Sequence, residues 1–185
     1  EMTDKGLKQV ENPSELFIMH QNHYSGTAIS SVLEGSRAFL IEVQALVSPT
    51  NYGTAQRVSV GFDQKRLALL LAVIEKNLML SMKELDIFIN FSGGIKVIEP
   101  GTDLALIASI LSSFRDKPLR EKTVFIGEVG LNGDIRPVSQ MEKRVKEALK
   151  MGFKEVFTAS DIKIKEKNIH CHKVKHISEL GPMIF

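Results

Sequence analysis

Apolar residues return along this chain at two periods, and the periods mark out its elements. Leu67, Leu70, Leu71, Ile74 and Leu78 recur at three- and four-residue spacing, which places them on one stripe of a helix. Asp63 stands just ahead of that run, where a carboxylate can accept a backbone N–H of the first turn, so a helix is expected over about 63–80. Shorter stretches at 27–33, 37–47, 57–61 and 85–91 read as strands. Glu34-Gly35-Ser36 closes the first two into a hairpin, and Pro49-Thr50-Asn51-Tyr52-Gly53 is a loop by composition. Ser92-Gly93-Gly94 turns the chain before a further strand expected at 95–98.

The second half continues the pattern. The apolar run 104–114 predicts a helix, with Thr102 or Asp103 as its cap. Residues 123–129 and 133–138 flank Asn132-Gly133, a strong short turn signal, and predict a second hairpin. Ser139 is placed to cap a helix that runs to Met151, and Gly152 to end it. Short strands are expected at 155–158 and 169–174, with a helical turn at 178–180. Near the start, a polar lead ends at Asn12-Pro13 and Ser14 caps a turn through Leu16 and Phe17. The apolar Pro182-Met183-Ile184-Phe185 is expected to dock on this domain or a neighbour. Strand pairs interleaved with three longer helices give an α+β (mixed α/β) domain. Residues 1–12 are expected to be a linker remnant and residues 13–185 a single domain.

Composition narrows the classes. With 185 residues, 43% of them hydrophobic, the chain can bury about 70% of its unfolded surface around one core. No apolar run reaches the ~18 residues of a membrane span and no signal peptide opens the chain, so a cytoplasmic, membrane-free setting is expected. A single cysteine allows no internal disulfide, which suits a reducing cytosol. The first residue is Glu1, so the chain reads as a piece of something longer. A net charge of +2 does not announce a nucleic-acid binder; local charge must.

Candidate chemistry gathers between Glu99 and Arg144. Glu99-Pro100-Gly101-Thr102-Asp103-Leu104-Ala105 opens one helix, and Ile126-Gly127-Glu128-Val129 with Asp134-Ile135-Arg136-Pro137-Val138 leads to the next. This order resembles the proteolytic domain of the Lon family, where a Gly-Pro-Ser-Ala-Gly motif sets a serine at the first helix and a lysine lies in the second. The resemblance puts Asp103 at the serine position, Arg144 at the lysine position, and Ile126 where a helper threonine stands. A serine-lysine dyad needs a hydroxyl and an amine held near neutrality. Aspartate has no hydroxyl, arginine stays protonated, and isoleucine has no hydrogen-bonding side chain, so no catalytic residue is expected. Asp103 reads either as a helix cap, worth about 0.5–2 kcal/mol, or as an ion-pair partner of Arg144 across a vestigial cleft. Ser109, Ser112 or Ser113 with Lys143 or Lys146 would make a displaced dyad, but serines inside a helix usually bond the preceding turn.

The whole chain resembles the C-terminal domain of the RadA/Sms family of bacterial recombination and repair ATPases. The residues that carry this include Asn12-Pro13-Ser14-Glu15, Gly26-Thr27-Ala28, Ser48-Pro49-Thr50, Arg57, Gly61-Phe62-Asp63, Arg66-Leu67-Ala68, 70–76 and Gly127-Glu128-Val129-Gly130-Leu131. The resemblance implies a Lon proteolytic-domain-like fold of the ribosomal protein S5 domain 2-like kind, with β-hairpins and three main helices. It implies a domain that helps build a ring, commonly a hexamer. Its DNA partner would be single-stranded or branched, and branch migration would proceed with the RecA recombinase. ATP and zinc would belong to parts further upstream, and no cofactor is expected in this chain. No Gly-x-x-x-x-Gly-Lys-Ser/Thr phosphate loop is found, so the chain itself is expected not to hydrolyse ATP and not to be an enzyme. Two other readings are an atypical serine peptidase of the Lon type and a protein-interaction domain that does not bind DNA.

For DNA contacts, residues 142–175 hold ten basic against five acidic side chains, Lys143 and Lys146 among them. Arg57, Lys65 and Arg66 form a second cluster, the latter two at a helix start where cations are electrostatically disfavoured. Such groups neutralise phosphates without reading bases; an ordinary solvated surface is the alternative. His170-Cys171-His172 puts two imidazoles on one strand face, but zinc needs a third and fourth ligand and only His20, His23 and His176 remain. No metal is expected, and Cys171 reads as a small core residue.

Overall fold

The structure, a computed structural model, describes residues 2–3, 6–7, 14–18, 24–51, 53–162 and 168–185. Asn12-Pro13, Tyr52 of the expected loop, His20, His23 and Lys163, Lys165 and Lys167 lie outside the described residues. In chain order, β1 (Met2–Thr3) and β2 (Gly6–Leu7) form a short antiparallel pair, and α1 (Ser14–Phe17) follows. β3 (Thr27–Glu34) and β4 (Arg37–Pro49) are the expected hairpin, in register from Thr27 opposite Gln44 to Glu34 opposite Arg37. Next come β5 (Arg57–Val60), α2 (Gln64–Leu78), β6 (Leu85–Phe91) and α3 (Asp103–Phe114). The chain closes with β7 (Thr123–Ile126), β8 (Glu128–Val129), β9 (Ile135–Arg136), α4 (Met141–Lys150), β10 (Glu155–Thr158), β11 (His170–Lys173) and α5 (Leu180–Met183).

Seven strands make one mixed sheet in the order β11-β10-β7-β3-β4-β6-β5. Only the β3–β4 and β4–β6 pairs are antiparallel; β7 joins β3 and β10 in parallel, as β11 joins β10 and β5 joins β6. Side-chain alternation then assigns the two faces. On one face Ile41, Val43, Ile89, Phe125 and Phe157 pack with Leu67, Leu70 and Ile74 of α2 and with α3. On the other, Leu40, Val124, Ile126 and Val156 pack with Met141, Val145 and Ala148 of α4. All four residues of β7 are buried, as expected for a parallel strand covered on both sides. Each large apolar side chain so buried contributes roughly 1.5–3 kcal/mol relative to exposure. The class is mixed α/β, consistent with the α+β expectation.

Local signals often held. Asp63 caps α2 by accepting the Arg66 N–H at 2.8 Å. Gly152, at φ 80°, follows α4 as expected. The apolar end docks on its own domain: Ile184 is buried, its carbonyl accepts the Arg120 N–H at 3.0 Å, and Arg115 and Lys117 sit over the Phe185 ring.

Three expectations need correction. Residues 95–98 form no strand, because Gly93 and Gly94 in left-handed conformations (φ 75° and 65°) carry the chain off the sheet. Val97 keeps one bond, to the Gly61 carbonyl at 2.8 Å. The hairpin expected over 123–138 shrinks to β8 and β9, since β7 joins the main sheet. Finally, Ser139 does not cap α4; Gln140 (φ 52°) stands at that position without a side-chain bond.

Candidate functional site

The start of α3 was singled out by Asp103, and its surroundings explain what that residue does. Gly127 interrupts the run from β7 to β8 and gives its two backbone groups to the start of α3 and the turn before it: its N–H donates to the Gly101 carbonyl of the 3-10 turn Pro100–Thr102 at 2.9 Å and its carbonyl accepts from Leu104 N–H at 3.1 Å. A Cβ at Gly127 would lie 2.7 Å from Ile135 Cγ2, so the approach requires glycine. The N-cap position falls to Thr102, which makes no side-chain cap bond, and Asp103 is the first residue of the helix proper. The cap reading of Asp103 is thereby corrected.

Asp103 is fully buried, and its carboxylate accepts from two donors on different elements. The Val129 N–H of β8 donates to Oδ2 at 3.0 Å, and the Arg66 guanidinium of α2 pairs with both oxygens, Nε at 3.3 Å from Oδ1. Arg66 also donates to the Val129 carbonyl at 3.0 Å, so α2, α3 and β8 meet at one guanidinium. Burial pushes the Asp103 carboxyl above its ordinary range, against the opposing pull of Arg66 and the Val129 N–H. The hydrogen bond from Arg66 to Asp103 raises the arginine's own pKa.

Arg144 is also fully buried, yet it has a different partner. Its guanidinium pairs with the Glu99 carboxylate, donates to the Ser31 carbonyl of β3, and donates through Nε to the Ser139 carbonyl at 3.0 Å. The other Glu99 oxygen accepts the Leu33 N–H at 3.0 Å. The expected Asp103–Arg144 ion pair is therefore absent, and two separate pairs replace it. Ile126 is buried in the α4-facing cluster. The serines of a displaced dyad are committed elsewhere: Ser109 donates to the Leu106 carbonyl at 2.8 Å, Ser112 to the Lys117 carbonyl at 2.6 Å, and Ser113 accepts the Val47 N–H at 2.9 Å.

The basic candidates divide. Arg57 points its guanidinium at the carbonyls of Met82, Leu85 and Gln56, pinning the α2–β6 loop to β5. Arg66 is the partner of Asp103. Lys65 and Lys146 are exposed on their helices, and Lys143, also exposed, reaches the Ser36 carbonyl at the tip of the β3–β4 hairpin, 3.2 Å away. With Lys150, Lys143 and Lys146 form a stripe at i, i+3 and i+7 on the outer side of α4. Glu99, the partner Arg144 actually takes, escaped sequence reasoning, though its place one turn ahead of Asp103 at a helix start was a usable signal.

Two histidines share a face of β11 as expected, with ring centroids 4.5 Å apart. His172 stacks on Phe157 and sits 3.2 Å from a Glu155 oxygen; burial lowers its pKa, partly offset by that carboxylate. Among the described residues no group of three or more His, Cys, Asp and Glu is placed to hold a metal ion. Cys171 is half-buried against the α4-facing cluster, and burial pushes its thiol up. No helix among the described residues is long and apolar enough to cross a membrane.

Comparison with known proteins puts this geometry in context. Proteins named DNA repair protein RadA match most of the chain: that of Bacillus subtilis is 44% identical over 97% of this chain and 40% of its own length. The Listeria monocytogenes protein is 46% identical over 85% of this chain and 35% of its own length, and the Aquifex aeolicus protein 41% identical over 100% and 41%. The chain thus spans about two fifths of the length of these relatives. Residues 55–161 match the family ChlI, described as subunit ChlI of Mg-chelatase. That match, to a subunit of an enzyme, overturns the expectation drawn from the missing phosphate-loop motif that the chain is not an enzyme. With more than half of its length covered by this match, the chain belongs to the ChlI family, and bacterial DNA repair proteins named RadA are its relatives.

Proposed function

We propose that this chain is a Lon-protease-like unit of a larger DNA repair protein of the RadA type, in which residues 13–185 act as one domain that binds DNA and helps assemble a ring. The observation that carries the reading is the 44% identity over 97% of the chain with a protein named DNA repair protein RadA. The site supports an architectural role for the two positions that the Lon resemblance singles out. Asp103 and Arg144 are buried, and each is matched to a partner on another element.

In this reading DNA, single-stranded or branched, lies along the exposed lysines of α4. Lys143, Lys146 and Lys150 neutralise successive phosphates, and Lys65 adds a further contact. Arg57 and Arg66 support the fold beneath. Assembly into a hexameric ring multiplies these weak contacts. ATP and zinc are bound elsewhere in the longer protein, which works in the cytoplasm with the RecA recombinase.

Fluorescence anisotropy with labelled single-stranded and branched DNA at several salt concentrations tests the reading. Replacing Lys143, Lys146 and Lys150 by alanine should reduce the slope of log K against log salt by about 2, since each single-strand phosphate contact contributes roughly 0.7. Binding that ignores both salt and these substitutions would reject it. Light scattering at rising protein concentration tests assembly, and a monomer throughout would count against the ring.

A further inference from the structure

Asn132 is the one asparagine of the sequence followed by glycine, and it is exposed in the loop between β8 and β9. The loop is closed by the Gly130 N–H on the Asp134 carbonyl and by the Gly133 N–H on the Gly130 carbonyl, both at 2.9 Å. Gly133 takes φ 88°, the left-handed place that three-residue hairpin loops give to glycine. The C-terminal segment clasps this loop. His176 Nε2 lies 2.9 Å from the Asn132 carbonyl, and its Nδ1 faces the Ser178 N–H at 3.2 Å and the Ser178 Oγ at 2.7 Å. A carbonyl only accepts and a backbone N–H only donates, so the ring carries its proton on Nε2. The Gly133 carbonyl takes the Ile177 N–H at 2.9 Å, and the Ile135 N–H donates to the Lys175 carbonyl at 2.8 Å. A Cβ at Gly133 would lie 2.5 Å from His176 Nε2, so the imidazole rests against bare backbone.

We infer that Asn132 is a site of self-modification that this clasp holds closed, and that its conversion to isoaspartate releases the C-terminal segment. The reaction needs only water. The Gly133 nitrogen gives its proton to solvent hydroxide and attacks Asn132 Cγ. A C–N bond forms, the Cγ–Nδ2 bond breaks, and the side-chain nitrogen takes a proton from water and leaves as ammonia. The cyclic imide then adds water at one of its two carbonyls, which gives aspartate or isoaspartate. Glycine favours the first step because no Cβ crowds the attacking nitrogen. In the fold, however, that N–H is committed to the Gly130 carbonyl, and its peptide plane is pinned through the Asn132 carbonyl. Bringing Cγ over the nitrogen requires both bonds to let go, so the rate follows the population of the opened loop. Isoaspartate routes the main chain through Cβ and Cγ and makes the loop one atom longer. The longer loop loses the register that sets Asp134 against His176. With it goes the anchor of the segment that carries the fully buried Ile177. The conversion does not reverse once ammonia has diffused away, so the site keeps a record of past opening. Neither the α4 lysines nor DNA enters this chemistry.

Peptide mapping by mass spectrometry after incubation at mildly alkaline pH follows the conversion, with the aspartate and isoaspartate forms separated by chromatography. In urea Asn132 should convert faster than every other asparagine. In the native chain it should convert at least about tenfold more slowly than in urea, by the same factor as hydrogen exchange protects the Gly133 amide. His176→Ala should raise the native rate about threefold or more, with thermal melting to confirm that it folds. Where that variant does not fold, the match between conversion and Gly133 exchange in the native chain decides alone. Equal rates in the native and unfolded chains, or a slowing unrelated to Gly133 protection, would overturn the closed site. A folded His176→Ala chain that converts at the native rate would overturn the clasp. The purified isoaspartate form should lose amide protection at Ile135 and Ile177 about tenfold, and unchanged protection there would overturn the release.

Discussion

Exchange of partners at the α3 start makes a quantitative prediction. Asp103 pairs with Arg66, Nε to Oδ1 at 3.3 Å, and Arg144 pairs with Glu99, while Asp103 and Arg144 share no partner. Two unit charges about 4 Å apart attract by about 4 kcal/mol at an effective dielectric of 20. Taking Asp103 out of water offsets much of this, and the Arg66 side chain is 28% exposed, which screens the remainder. A coupling of roughly 1–3 kcal/mol should survive in the cycle Asp103→Ala, Arg66→Ala and the double variant. The Asp103→Ala variant alone also orphans the Val129 N–H, a further ~1–3 kcal/mol that the cycle cancels. The cycle Asp103→Ala with Arg144→Ala should be additive within about 0.5 kcal/mol. Urea denaturation of the six chains gives all the values needed. Coupling above about 1 kcal/mol between Asp103 and Arg144, or none between Asp103 and Arg66, would refute the assignment of partners.

The remaining predictions concern neighbouring features. Arg144→Met should cost about 3 kcal/mol by urea denaturation, because Glu99 and the Ser31 and Ser139 carbonyls lose their donor together. Because the folded-state pKa of Asp103 is raised above its unfolded value of roughly 3.9, the native state binds that proton more tightly; this group's contribution to stability is greatest at low pH and declines as pH rises through the raised value. Asp103→Asn should flatten that part of the profile, and an unchanged decline would assign it to another group. Gly127→Ala should destabilise by about 1–3 kcal/mol through the clash with Ile135, and adding Ile135→Ala should recover part of the Gly127→Ala cost relative to Ile135→Ala alone. Ser31→Ala should be neutral within about 0.5 kcal/mol or stabilising, since the buried Ser31 Oγ has no hydrogen-bond partner among the described residues.

What the sequence disclosed was what neighbours in sequence decide. The α2 stripe and its Asp63 cap, the β3–β4 turn at Gly35 and the docking of Ile184 all depend on short spacing or a plain apolar run. The destination of β7 was hidden because Asn132-Gly133 is a valid turn signal whose hairpin is cut short by a distant event. Gly127 bonds to α3 instead of continuing the ladder. The partners of Asp103 and Arg144 lie 37 and 45 residues away in sequence, on elements whose packing no periodicity reveals. Arg57 looked like a free cation for the same reason: its carbonyl partners Met82 and Leu85 come together only when β6 pairs with β5.

The order of strands also bears on how the chain tolerates shortening. The hairpin of β3 and β4 comes early in the chain but occupies the middle of the sheet, and the sheet extends from it in both directions. Trimming from the C-terminus takes away an edge first, β11 and then β10, and leaves a contiguous five-stranded remainder. Cutting in after residue 34 removes β3 and parts the sheet into two fragments, one carrying β7, β10 and β11 and the other β4, β5 and β6. The two ends of the described domain therefore differ sharply in what they can lose. A ribosome that releases the hairpin first presents the sheet's centre before either flank exists.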